Sequence, residues 1–259
     1  MKKNTLFVAV RLEGEGTTRW SPVGRLQFID STYHFVYTRG ACSTAGFKPF
    51  SGMESLDTIY RSNELFPVFV NRMLTKSRPE YDAFLRWSGF DAASPPDPIA
   101  ILGVTEGIRR TDMIELFPLS IPDEHGRYVN RFFLHGLRYM PPETRERVTT
   151  LKPGDQLFPE FEKLNGADPN AVALKTKTDD VLLGYVPRYL AQDFRKVMQS
   201  CQSDRMRLTV YRVNPDAPLQ QRLLCELDAS WPDGFKPCSG EEFLPVSEEQ
   251  LSIRCTNTQ

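Results

Sequence analysis

Apolar and aromatic positions recur along the chain at strand spacing, in runs broken by Gly, Pro, Asp and Ser. Residues Thr5 to Leu12 read as a strand. Two antiparallel strands follow in "GRLQFID" and "TYHFVYTRG", where Leu26 and Phe28, then Tyr33, Phe35 and Tyr37, take every second position. A short helix is expected near "SLDTIYRS", ahead of the apolar segment "NELFPVFVNRML". In "SRPEYDAFLRWSG" the pair Ser77 and Glu80 has the spacing of a capping box, Pro79 falls in the first turn, and Gly89 ends the helix. "DAASPPDP" is a rigid break before "IAILGVTEG" and "DMIELFPL".

The second half is also rich in strands. "RYVNRFFLHGLRYM" reads as a strand block that includes His135. "LKPGDQLFPEFEK" holds a turn at Pro153-Gly154-Asp155 and then a strand. "AVALKT", "VLLGYVP" and "RMRLTVYRV" are further strands. Between the last two, "RYLAQDFRKVM" is an amphipathic helix, with Leu190, Phe194, Val197 and Met198 on one face. From "DASWPDGFKP" onward the chain is rich in turns. The pattern predicts a mixed, mainly β (α+β) fold in two parts, residues 1–125 and 126–240, with a frayed tail at 241–259.

Composition narrows the chemistry. The 259-residue chain has a formal net charge of −1, which gives no whole-molecule attraction to polyanions. Residues 131–212, however, carry 14 basic against 10 acidic groups, a modest local excess that suits phosphate contacts. The five cysteines and three histidines show no metal-ligand spacing, so reduced thiols, no metal and no cofactor are expected. The apolar run after "MKK" is too short for a signal peptide, and no stretch is long enough to span a membrane. A cytoplasmic protein without membrane contact is the expectation. No phosphate-cradling loop, nucleophile elbow or HExxH motif occurs. The carboxylate pairs, Glu162 with Asp168 and Asp179 with Asp180, read as surface turns, and His135 as a packed structural residue. No enzyme is expected.

Several short motifs stand in a fixed order: "HGLRYM", then "NGADPNAVAL", then "LGYVPR". Gly136 to Tyr139, Asp168 with Asn170, Ala171 and Val172, and Gly184 to Arg188 carry a resemblance to the HIRAN domain family over roughly residues 130–235. The resemblance implies a small OB-like β-barrel with a packed helix and a pocket for the 3′ end of single-stranded DNA. The nucleic-acid-binding residues it implies are Arg138, Tyr139, Asp168, Asn170, Tyr185 and Arg188. Their chemistry suits the task. An ionised Asp168 can only accept, so it suits a free 3′-hydroxyl and repels a 3′-phosphate. Tyr139 offers a stacking face, and Arg138 and Arg188 offer phosphate contacts. Asn170 can bond a base edge or close the turn. The same residues also make good turn chemistry in Asp168-Pro169-Asn170, and both tyrosines suit a barrel core. The sequence departs from the DNA-binding pattern at Ala167, where an aromatic platform is expected.

The first half resembles the N-terminal subdomain of HipA-type kinases. The matching residues are Gly24, Arg25, Leu26 and Phe28, then Leu65, Phe66, Phe69, Asn71 and Leu74. No kinase core follows. This resemblance implies a bacterial interaction protein, antitoxin-like toward a separate HipA-type kinase in a toxin-antitoxin or defence system. The partners expected from the sequence are therefore a single-stranded DNA end, and a protein such as that kinase or a DNA-processing enzyme.

Overall fold

The computed structural model describes residues 5–14, 17–109, 111–162, 164–166, 168–200 and 206–247. Its first unit is a five-stranded antiparallel sheet of β1 (Thr5–Gly14), β2 (Thr17–Ile29), β3 (Thr32–Tyr37), β4 (Tyr60–Ser62) and β5 (Ile114–Pro118), in the order β4-β3-β2-β1-β5. Asp30 and Ser31 both take positive φ and close the two-residue β2–β3 hairpin. Four short helices complete the unit: α1 (Arg39–Ser43), α2 (Pro67–Val70), α3 (Tyr81–Trp87) and α4 (Pro98–Thr105). The side chain of Asp97 caps α4 by accepting from the Ala100 amide, and Pro98 sits where no backbone bond is lost.

The second unit holds two three-stranded sheets. One is ordered β10 (Met206–Val213), β11 (Leu223–Ser230), β6 (Arg127–Phe133). The other is ordered β7 (Leu157–Phe161), β8 (Val172–Thr176), β9 (Leu182–Tyr185). Backbone bridges His135–Tyr185 and Gln156–Thr209 join the two sheets. The result is an OB-like barrel, with α5 (Pro142–Thr150) and α6 (Arg188–Ser200) beside it. Helix α6 buries Leu190, Ala191, Phe194 and Val197, with the Phe194 ring edge-on to Phe132.

Strand β1 is where the units meet. Its side chains alternate between two faces. Leu6, Val8 and Val10 enter the core of the first unit, with Leu26, Phe35, Phe69 and Leu102. Phe7 and Ala9 point the other way, into the core of the second unit, where Phe117 of β5 stacks on Tyr189 of α6 at 4.6 Å. A strand buried on both faces reads as a continuous apolar run, which is what "LFVAV" is.

The structure corrects several expectations. "SLDTIYRS" is not a helix: Tyr60–Ser62 pairs as the edge strand β4 against Tyr33–Phe35. The Ser77/Glu80 capping box does not form. Helix α3 begins only at Tyr81, with no side-chain cap, and Ser77 contacts the Thr75 hydroxyl instead. "LRY" is a 3-10 turn over Leu137–Tyr139 rather than strand. The end of the chain is not frayed from residue 241. Phe243 packs edge-on against Phe7, and Arg39 and Leu244 share a backbone bond, as do Val246 and Tyr37. Residues 248–259 lie outside the described residues, as does Ala167.

Candidate nucleic-acid interface

The six sequence-predicted residues gather at one end of the barrel. Gly136 has φ +82°, open to glycine without strain, and it starts the 137–139 turn. Leu137 is buried and anchors that turn, while Arg138 and Tyr139 project into solvent. Tyr139 is 72% exposed, so the core reading of this ring is excluded. The Arg138 guanidinium lies 4.5 Å over its ring and donates to its hydroxyl. Arg145, on α5, donates to the Arg138 carbonyl at 2.6 Å and holds the turn from behind.

Tyr185 lies beside this turn. It exchanges two 2.9 Å backbone bonds with His135, and a side chain at Gly136 would meet its ring at 3.1 Å. Gly184 is required here, because a Cβ would sit 2.4 Å from the His135 carbonyl oxygen. The Tyr185 hydroxyl donates to Glu162 at 3.2 Å. Burial, then the Glu162 carboxylate, raise its phenol above the ordinary value, so it remains a donor. Glu162 in turn accepts from Asn165 Nδ2 at 2.9 Å, and Asn165 Oδ1 accepts from the Asp168 amide at 3.1 Å.

The chain of bonds ends at the turn 168–171. Asp168 Oδ1 accepts from the Asn170 amide at 2.8 Å, and the Asp168 carbonyl accepts from the Ala171 amide. Turn chemistry is thus satisfied through one carboxylate oxygen, and Oδ2 has no bonded partner among the described residues. Arg188 opens α6 and forms no ion pair among the described residues.

Two neighbours were not anticipated from sequence. Arg195 donates to the Pro169 carbonyl at 3.3 Å and covers the Phe161 ring at 4.7 Å. It follows Arg188 by seven residues, two helical turns, which puts both on one face about 10 Å apart. That spacing was the signal available in the sequence. Glu162, read there as a surface-turn carboxylate, instead orients Tyr185. Two cavities, of about 270 and 180 Å³, lie elsewhere, one beside α4 and β6 and one beside α6 and residues 238–243. Among the described residues no group of His, Cys, Asp or Glu is arranged to hold a metal, and no helix is long and apolar enough to cross a membrane.

A family model for the HIRAN domain matches residues 128–231, the span from β6 through β11 that holds all six residues. Residues 128–231 are a HIRAN domain. HIRAN domains are associated with DNA binding. Among solved structures, this chain is similar to a protein from Lactobacillus plantarum, at 23% identity over 40% of this chain and 97% of that one, with a TM-score of 0.31. It is also similar to the HIRAN domain of human HLTF, at 14% identity over 41% and 81%, again with a TM-score of 0.31. No curated protein matches the chain.

Proposed function

We propose that the chain is a non-catalytic binding protein whose HIRAN domain holds a single-stranded DNA end bearing a free 3′-hydroxyl. The observation that carries this reading is the pairing of a mostly exposed aromatic, Tyr139, with an acceptor-only carboxylate, Asp168, that keeps one oxygen uncommitted. In this reading Tyr139 stacks a base, Asp168 accepts the terminal hydroxyl, and Asn170 meets the adjacent base edge. Arg138 and Arg188 neutralise phosphates, and Tyr185 floors the pocket. Fluorescence anisotropy with 3′-hydroxyl and 3′-phosphate oligonucleotides of one sequence tests it. Tighter binding of the hydroxyl end supports it; equal or undetectable binding of both at low salt overturns it.

A second reading, an antitoxin-like partner of a HipA-type kinase, is favoured by one observation on the first unit. Val70, Ile108 and Met113 are large apolar side chains left exposed. The buried Arg72 ties their segments together through Gly107, Asp112 and Ile114. Exposed apolar groups held in one place suit a protein partner. A pull-down from the native host that recovers a kinase of that type, and loses it on Met113→Glu, supports this reading. Recovery of no such kinase removes it.

A further inference from the structure

Beneath the candidate site lies a carboxylate that belongs to neither the site nor the HIRAN domain. Glu106 follows α4, in the first unit, 22 residues before the matched span begins. It is 1% exposed and takes a left-handed conformation at φ 60°, which is uncommon for a residue with a long side chain. Its own unit fixes its backbone, because the Leu116 amide of β5 donates to its carbonyl at 2.8 Å. Its side chain crosses into the second unit. One oxygen accepts from the Tyr189 hydroxyl at 2.9 Å. His135 Nε2 lies 2.8 and 3.0 Å from the two oxygens, and since a carboxylate can only accept, that nitrogen carries the proton.

Both partners adjoin groups of the site. His135 immediately precedes the Gly136–Tyr139 turn, and its backbone is the one that pairs with Tyr185. Tyr189 immediately follows Arg188, in the first turn of α6. One buried carboxylate therefore grips both segments that present the basic and aromatic groups of the site. A buried charge with two charge-assisted bonds has a steep, directional minimum, so it fixes how far apart the two segments stand.

We propose that Glu106 is a positioning residue: through it, the first unit sets the spacing of the two segments that form the HIRAN site. The proposal rests on the nucleic-acid reading of that site for its functional consequence. Its structural part stands without a ligand. It also implies that a partner bound to the first unit and a ligand at the site are energetically linked, each biasing the geometry the other needs.

Residue-resolved hydrogen exchange on the full chain tests the proposal, with anisotropy on single-stranded DNA run in parallel. Glu106→Gln removes the charge, Tyr189→Phe removes one bond while keeping the ring stacked on Phe117, and His135→Phe removes the other. Glu106→Gln is expected to speed exchange of the amides of 136–139, 185–186 and 188–190 about tenfold or more, with β2 and β3 unchanged. Each single-bond variant is expected to loosen its own segment alone. Uniform acceleration across the chain, or no change in either segment, overturns the proposal, and Tyr189→Phe keeps that test decisive even if Glu106→Gln fails to fold. Where wild type binds DNA, Glu106→Gln is expected to weaken binding about tenfold. Unchanged affinity despite a loosened site also overturns it. Wild type that binds no oligonucleotide defeats the nucleic-acid reading and leaves the exchange result to decide the positioning role.

Discussion

The exposed site and the buried junction beneath it share the same two chain segments, yet they are built in opposite ways. At the surface, Tyr139 stands in water, Asp168 keeps an oxygen open, and Arg188 makes no ion pair among the described residues. In the buried junction, Glu106 engages His135 and Tyr189, while Glu115 engages Arg11 at 2.8 Å and the Trp20 indole, and both carboxylates are almost wholly buried. The difference separates two tasks. On the proposed function, the groups that would meet a ligand are left with unfilled bonding capacity, and the rigidity they would need is supplied by neighbours whose capacity is filled. Breaking the junction should therefore cost stability, and breaking the surface should cost binding alone.

The largest effect is expected at the seam between them. Gly184→Ala drives a methyl into the His135 carbonyl and parts the two barrel sheets where they join. A loss on the order of 3 kcal/mol, roughly 10 °C in Tm, is expected by calorimetry. Next comes His135→Gln, with a loss of about 2 kcal/mol that depends on pH. Burial pushes the imidazole pKa down, but Glu106, in direct contact, and Glu115 beyond it prevail over burial and Arg11, so the folded value lies above 6.5. A raised folded pKa means that the ion pair contributes fully below the unfolded value and is lost as pH rises through the folded one. The Tm gap between wild type and variant should thus be widest in mild acid and narrow toward alkaline pH; a gap independent of pH contradicts the pairing.

On the surface side, Tyr139→Ala should weaken single-stranded DNA binding about tenfold by anisotropy, from the lost stacking face. Its Tm should stay within about a degree of wild type, since so exposed a ring contributes little to folding. The smallest effect belongs to the helix arginines. Arg188→Ala and Arg195→Ala should each lower the salt dependence of binding by about 0.7 in log–log slope, one phosphate contact apiece. An unchanged slope for both places the strand away from α6.

How much of this was legible in the sequence depended on the distance over which each feature is specified. Period-two alternation revealed β2 and β3, short apolar runs bounded by turn residues revealed β1, β8, β9 and β10, and the apolar face of α6 was readable residue by residue. Tyr60–Ser62 misled because its strand character comes from pairing with a distant edge and not from its own pattern. Helix α5 escaped notice because only Thr144 and Val148 are buried in it, too few to show a face. The site showed the same division. Asp168, Asn170, Tyr185 and Arg188 could be proposed from the sequence because turn chemistry and short motifs are local. Glu106 was not, because its partners lie 29 and 83 residues away. That long-range carboxylate joins the shared core of β1 in linking the two halves of the chain.

Selection of a free 3′-hydroxyl by the uncommitted oxygen of Asp168 is read most directly in the ratio of Kd values for 3′-phosphate and 3′-hydroxyl strands, in wild type and in Asp168→Asn. The asparagine keeps an acceptor for the Asn170 amide but removes the negative charge. A ratio well above one is expected in wild type, on the order of tenfold, collapsing toward one in the variant with Tm little changed. A ratio near one in wild type, or a ratio that survives the substitution, contradicts it.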